Sequence, residues 1–241
     1  MAEPLLSLEG VHTHIGPYHI LQGVDLAVPT GGVSVLLGRN GAGKTTTLRT
    51  IMGLWTASKG SIRFQGRDIT ALETPAIARA GIAYVPETMG IFTDLTVAEN
   101  MTLAAASGPI DKQRLDWVQD LFPPIRTFWT SSAGTLSGGQ KQMLAVSRAI
   151  IEPRVLILID EPTKGLAPAI IKSMTDALRQ LKETDTTILL VEQNFAMASS
   201  IGDDVAVMDD GRIVHRGGMA ALAADAALQE KLMGLSLEAH Q

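Results

Sequence analysis

Residues 38 to 45, GRNGAGKT, match the pattern G-x-x-x-x-G-K-[ST], and each residue type in it suits the binding of phosphate. Gly38, Gly41 and Gly43 let the backbone N–H groups of the loop, with those of Arg39, Asn40, Ala42 and Thr46, curl around phosphate oxygens. The Lys44 ammonium neutralises terminal phosphates and the Thr45 hydroxyl ligates magnesium. A second stretch, RVLILIDEPT, ends an apolar run on two carboxylates. Asp160 suits a magnesium ion held through water, and Glu161 suits the polarisation of a water for in-line attack on a γ-phosphate. The plain alternatives, a glycine-rich turn and an acidic strand end before Pro162, each weaken once both stretches occur in one chain.

A third stretch, TLSGGQKQ at 135 to 142, has no acid, base or nucleophile of its own. Ser137 reads as the cap of a helix that buries Met143, Val146 and Ile150, while Gly138 and Gly139, followed by Gln140, leave the tip open to an anion. Since the chain already has a complete phosphate loop, this second receptor is expected to reach the γ-phosphate of a nucleotide held by another subunit.

The elements that must position these residues follow from periodicity. The loop of 38 to 45 sits between the apolar run VSVLLG and a helical stretch, TTLRTIMGL. The first sixty-odd residues alternate as half-buried strands do, with Val24, Leu26 and Val28 on one side and a turn at Thr30-Gly31-Gly32 before VSVLLG. GSIRFQGRDI reads as a hairpin arm and GIAYVP as a short buried strand stopped by Pro86. From about Glu87 the pattern becomes helical and polar, which predicts a helical subdomain over about 87–145 nested in the fold. Strand and helix then alternate, with Ile170, Met174, Leu178 and Leu181 at helical spacing before TTILLVE. This predicts an α/β fold with a mainly parallel core sheet flanked by helices, preceded by an antiparallel β part. A hairpin around Asp210-Gly211 and an alanine-rich helix over about 218–234 complete a single domain spanning 1–241.

Composition bounds the function. The chain has 241 residues, 46% hydrophobic, a formal charge of -5 and no cysteine, so disulfides and thiol chemistry are excluded. With no run of Lys and Arg, nucleic acid is not an expected partner. No apolar run is long enough to span a bilayer and the first residues do not read as a signal peptide. A cytoplasmic protein is expected, with any membrane role exerted through a partner. His12 and His14 alternate on a strand with no third metal ligand in view and read as surface residues; Trp55, Trp117 and Trp129 read as packing or partner-facing residues.

The set GRNGAGKT, LSGGQ and LILIDE, in that order and spacing, resembles the nucleotide-binding subunit of ABC transporters over essentially the whole chain. GIAYVPETMGIFTDLTVAENM, WVQDLFP, EPTKGLAP and VEQN resemble the LivF-like branch, the second ATP-binding subunit of branched-chain amino acid importers, a branch that includes urea and other amide or carboxylate importers. The resemblance implies a P-loop fold of ABC type and an ATPase using ATP and Mg2+. It also implies a head-to-tail dimer with a sister ATPase or a second copy, transmembrane permease subunits at the cytoplasmic face of the membrane, and an extracytoplasmic solute-binding protein. It places Glu87 where a magnesium-contacting glutamine is usual, Ala167 where an aspartate is usual, and Gln193 at the switch position usually held by histidine. The position of the adenine-stacking aromatic falls on Ile15, with Tyr18 three residues later; either packs on the base. Met89, Ile91 and Phe92, near Glu87, mark either a groove for a membrane partner or core. A non-transport ATPase of the same type, or a nucleotide-binding regulatory module without turnover, are the competing readings; the chain lacks the fused second cassette, coiled coils or basic arms usual in the former.

Overall fold

The computed structural model describes residues 3–106 and 108–233. The chain begins with β1 (Leu6–Ile15) and β2 (Tyr18–Val28), then enters β3 (Val33–Gly38), the phosphate loop and α1 (Lys44–Ile51). β4 (Ala57–Phe64), β5 (Arg67–Asp68), α2 (Thr74–Arg79) and β6 (Ile82–Val85) follow. Helices α3 (Val97–Ala104), α4 (Lys112–Leu121), α5 (Pro123–Thr127) and α6 (Gly138–Ile150) come next. The second half alternates: β7 (Leu156–Asp160), α7 (Pro168–Lys182), β8 (Thr187–Glu192), α8 (Phe195–Ile201), β9 (Asp204–Asp209), β10 (Arg212–Gly218), α9 (Met219–Ala224) and α10 (Ala226–Met233).

Two sheets result. One is antiparallel, ordered β2-β1-β4-β5; the other is ordered β10-β9-β3-β8-β7-β6, parallel throughout except for the β10 edge. The α/β architecture with a separate antiparallel part thus agrees with the sequence expectation. VSVLLG departs from it: grouped by alternation with the half-buried strands before it, this run is instead a central strand of the parallel sheet, β3, buried on both faces. The Thr30–Gly32 turn carries the chain from one sheet to the other.

Period-two geometry divides each central strand between two cores. Val33, Val35 and Leu37, Ile157 and Ile159, and Ile188 and Leu190 face the core shared with α3 to α8. Leu36, Leu156, Leu158, Leu189 and Val191 face the core shared with the antiparallel sheet and α1. Where one terminal helix is expected, the chain makes two, broken at Asp225, whose backbone leaves helical geometry at φ -110° and ψ 88° and whose carboxylate accepts from the Leu228 N–H. Gly234 lies outside the described residues. Among these no helix is long and apolar enough to cross a membrane.

The β9–β10 turn ties the two sheets to the phosphate loop. Asp210 and Gly211 take φ of 42° and 70°, as a two-residue hairpin requires. Gly211 N–H donates to the Ala42 carbonyl and the Gly211 carbonyl accepts from Gln22 N–H, both at 2.9 Å. A Cβ at Gly211 would be driven into the Ile20 carbonyl oxygen. Gly211→Ala is therefore expected to destabilise the fold by about 2–4 kcal/mol, combining left-handed strain with overpacking. Urea denaturation measures this, and an unchanged midpoint would refute the tight approach.

Candidate functional site

The carboxyl ends of β3, β7 and β8 are neighbours in the parallel sheet, and the chain leaving each carries part of one charged cluster. Leaving β3, the loop of Gly38, Arg39, Asn40, Gly41, Ala42 and Gly43 reaches α1 with Gly43 as a left-handed N-cap, φ 108°, and no side-chain cap. The first amide groups of α1, over Lys44, Thr45 and Thr46, are thus left to an anion. Lys44 is only 4% exposed. Its Nζ donates to the Gly38 and Arg39 carbonyls at 2.8 and 3.0 Å and lies 3.4 Å from Glu161 Oε1. Phosphate oxygens offer this ammonium stronger, charged acceptors than the loop carbonyls.

Leaving β7, Asp160 is fully buried, with Oδ1 accepting from the Thr45 hydroxyl at 3.1 Å and Oδ2 from the Tyr84 hydroxyl at 3.3 Å. Burial pushes the Asp160 carboxyl up, the Thr45 hydrogen bond opposes this, and the Glu161 charge adds to the rise. Burial, then the Asp160 charge, pushes the Tyr84 phenol up to about 12, so it stays a donor. Glu161 occupies φ 48°, a strained value for a side chain of its size. Its Oε1 accepts from Gln193 Nε2 at 2.5 Å and its Oε2 lies 3.2 Å from Lys164 Nζ. Burial alone would raise the Glu161 carboxyl, but the Gln193 hydrogen bond and the Lys44 and Lys164 charges outweigh it and hold the group below its ordinary value. It is therefore ionised at neutral pH and able to accept a proton.

Leaving β8, Gln193 Nε2 donates both to Glu161 and, at 2.6 Å, to Asn40 Oδ1, so one amide links the carboxylate to the phosphate loop. Glu192 before it is 2% exposed. One Glu192 oxygen accepts from the Thr163 N–H and hydroxyl, and the other from the N–H groups of Gln193 and Asn194. This clamp between the β7 and β8 turns was missed in the sequence, where its signal was a carboxylate ending an otherwise apolar run. Tyr84 and Lys164 were missed as well. Lys164 Nζ lies 2.6 Å from Glu87 Oε1, which brings Glu87 to the same cluster. Gln193→Ala removes two donated hydrogen bonds, one to a charged acceptor, and is expected to lower nucleotide turnover about five- to thirtyfold. Gln193→His keeps a donor and is expected to turn over as fast as the parent or faster; steady-state phosphate release distinguishes the two, and a collapse in the His variant would show that the amide itself is needed.

The Ser137 tip is the N-terminus of α6. Ser137 and Gln140 form a reciprocal capping box on α6: Ser137 Oγ accepts from Gln140 N–H at 3.3 Å and Gln140 Oε1 from Ser137 N–H at 2.9 Å. The hydroxyl proton of Ser137 remains available to a ligand. Around Gly138 a Cβ would meet open space, but at Gly139 it would stand 2.7 Å from Ile170 on α7. Gly139 is thus also small because two helices approach there. Among the described residues no hydrogen bond or ion pair joins 137–140 to the phosphate loop.

A family model described as ABC transporter matches residues 21–164. The chain belongs to the ABC transporter family. Two relatives are similar over nearly all of it. A high-affinity branched-chain amino acid transport ATP-binding protein, BraG of Pseudomonas aeruginosa, is 38% identical, with 95% of this chain and 100% of that protein covered. A probable branched-chain amino acid transport ATP-binding protein, LivF of Archaeoglobus fulgidus, is 36% identical, with 90% and 93% covered. The fold is that of a solved ATP-binding cassette of an ABC transporter in its ADP conformation, with TM-score 0.81 at 24% identity over 97% of this chain and 100% of that one. The chain is an ATP-binding subunit of this family and an ATPase.

In this ABC subunit Ala167 is the N-cap of α7 and makes no side-chain cap, the helix starting instead at Pro168. Ile15 and Tyr18 are paired across the β1–β2 turn, Ile15 half-buried and Tyr18 69% exposed. His19 joins His12 and His14: it stacks on His14 at 4.2 Å and shares a 2.9 Å hydrogen bond with His12. Among the described residues no group of three or more His, Cys, Asp or Glu is arranged to hold a metal ion alone. The oxygen-only set of Thr45, Asp160 and Glu87 does fit magnesium, which binds through one or two carboxylates and completes its shell with substrate phosphates and water.

Beside Glu87 opens a groove of about 640 Å³, lined by Arg49, Leu54, Trp55, Met89, Ala104 and Arg148 among others. Met89 and Ile91 are half-buried and pack against the helical core, with Met89 also lining the groove, whereas Phe92 is 49% exposed beneath the Arg148 guanidinium, 5.0 Å away. Trp117 lies under Arg114, and Trp129 packs partly buried on the helical core.

Proposed function

We propose that this chain is the ATP-hydrolysing subunit of a branched-chain amino acid importer, acting on the cytoplasmic face of the membrane through permease subunits. The observation that carries this reading is the likeness, over nearly the whole chain, to two relatives named for that transport. The Ser137 tip, which among the described residues makes no hydrogen bond or ion pair with its own phosphate loop, supports a head-to-tail dimer, with a sister ATPase or a second copy, in which Ser137, Gly138, Gly139 and Gln140 of one subunit meet the γ-phosphate held by the other. The groove beside Glu87 is assigned to a permease segment, its exposed apolar side chains and arginines suiting an amphipathic helix. An extracytoplasmic solute-binding protein completes the assembly.

The phosphate loop amides and Lys44 bind the polyphosphate, with Lys44 exchanging the Gly38 and Arg39 carbonyls for phosphate oxygens. Thr45, Asp160 and Glu87 would hold magnesium, which would neutralise charge on the phosphates. Glu161 accepts a proton from the attacking water as its oxygen bonds to the γ-phosphorus and the bond to the bridging oxygen of ADP breaks. Gln193 orients Glu161. Ile15 or Tyr18 packs on adenine. ATP stabilises the closed dimer only as far as it binds that state better, and cleavage removes the bridging γ-phosphate, so the opening is available to move the permease.

Reconstitution of the chain with the permease and ATPase products of neighbouring genes in vesicles, with the cognate binding protein, tests the reading. ATP-dependent uptake of labelled leucine, isoleucine or valine is expected. Uptake of urea, an amide or a carboxylate without any branched-chain amino acid would overturn the solute assignment.

A further inference from the structure

Lys164 lies in the EPTKGLAP stretch without a role read for it there, yet its ammonium stands between two carboxylates with different duties. Its backbone N–H donates to the Glu161 carbonyl at 3.2 Å, so the turn after β7 sets the three-residue spacing that brings Nζ to within 3.2 Å of Glu161 Oε2. The second partner, Glu87, is 77 residues away and is delivered by the parallel pairing of β6 with β7, where Val85 opposes Ile159. Glu87 is held in a tight turn: the Pro86 carbonyl accepts from Met89 N–H at 2.8 Å, and Met89 takes φ 65°. Pro86, Met89 and Gly90 line the groove, so the backbone on both sides of Glu87 forms part of its wall.

We propose that Lys164 is a positioning residue that bridges Glu87, in the turn beside the groove, to Glu161 and so passes a displacement at the groove to the carboxylate that receives the proton. This inference rests on the proposed roles of Glu161 and of the groove. The charge balance gives it a distinctive signature. Asp160, Glu161 and Glu87 are faced by Lys44 and Lys164, three negative charges against two positive. Without Lys164 a single ammonium faces three carboxylates, a field that repels a polyphosphate and attracts a divalent cation. A merely structural spacer would not shift the two ligands in opposite directions.

The test uses the purified full chain, with affinity for a fluorescent ATP analogue measured in EDTA and across a magnesium titration, and turnover measured at saturating magnesium. Lys164→Met is expected to weaken binding in EDTA about two- to fivefold, the scale of a partly exposed charge pair, and to lower the magnesium concentration for half-maximal binding. Lys164→Arg is expected to restore both, and equal thermal midpoints establish that the variants are folded. In the double variant with Glu87→Gln, turnover is expected to be no lower than in the worse single variant, because the bridge is already cut. Losses that multiply, or unchanged binding in EDTA, would overturn the proposal. Failure of the reading beneath it has a different appearance: Glu161→Gln would turn over normally while the opposed binding shifts of Lys164→Met persisted.

Discussion

Glu161→Gln is expected to reduce ATP turnover by about a hundredfold or more, the usual loss when a general base is removed, without loss of ATP binding. The substitution is nearly isosteric, and the carbonyl of the substituted amide can still accept from Gln193 Nε2 where the carboxylate now accepts at 2.5 Å. What disappears is the proton acceptor and the charge that faces Lys44 at 3.4 Å and Lys164 at 3.2 Å. Freed of that competitor, Lys44 is available to phosphate, so an uncleaved nucleotide is expected to persist between two chains. Light scattering with chromatography should show an ATP-dependent species of twice the monomer mass, with the sister subunit added if the chain does not pair with itself. Turnover equal to that of the parent would place the base elsewhere.

Lys44→Ala should fail in the opposite way. The ammonium is almost fully buried, donates to two loop carbonyls and faces Glu161. Truncation removes a charge-assisted contact to phosphate and leaves Glu161 facing the incoming anion with less compensation. Affinity for ATP is expected to fall about 30- to 150-fold, equivalent to about 2–3 kcal/mol for a lost charged hydrogen bond. Titration of a fluorescent nucleotide reads this directly. Because binding itself is lost, Lys44→Ala should give no ATP-dependent dimer, whereas Glu161→Gln should accumulate one. Unchanged affinity in Lys44→Ala would remove the lysine from phosphate recognition.

Both variants concern residues whose motifs are continuous in the chain. A phosphate loop needs glycines, a lysine and a hydroxyl in one short run between a strand and a helix, and GRNGAGKT has that local order. LILIDE places its two acids at a strand end by the same local logic, and Ser137 with Gln140 forms a capping box four residues long. The Asp210-Gly211 hairpin was equally local. Lys164, Tyr84 and Glu192 were not legible as site residues, because each acquires its role from a partner distant in the chain. Lys164 meets Glu87 across 77 positions, Tyr84 meets Asp160 across 76, and Glu192 meets Thr163 across 29.

The sequence by itself marked which segments read as phosphate receptors, which carry the acids, and that strands and helices alternate, since those patterns reside in neighbouring residues and in the period of burial. Only the tertiary structure decided that β3 leaves the antiparallel strands for the centre of the parallel sheet, that Gly139 is small because α7 lies against it, and that Gln193 joins Asn40 to Glu161. The physical reason is strand order. Placing β8 between β3 and β7, with β6 beyond, gathers four chain ends at one sheet edge, and no local pattern encodes which buried apolar strand pairs with which.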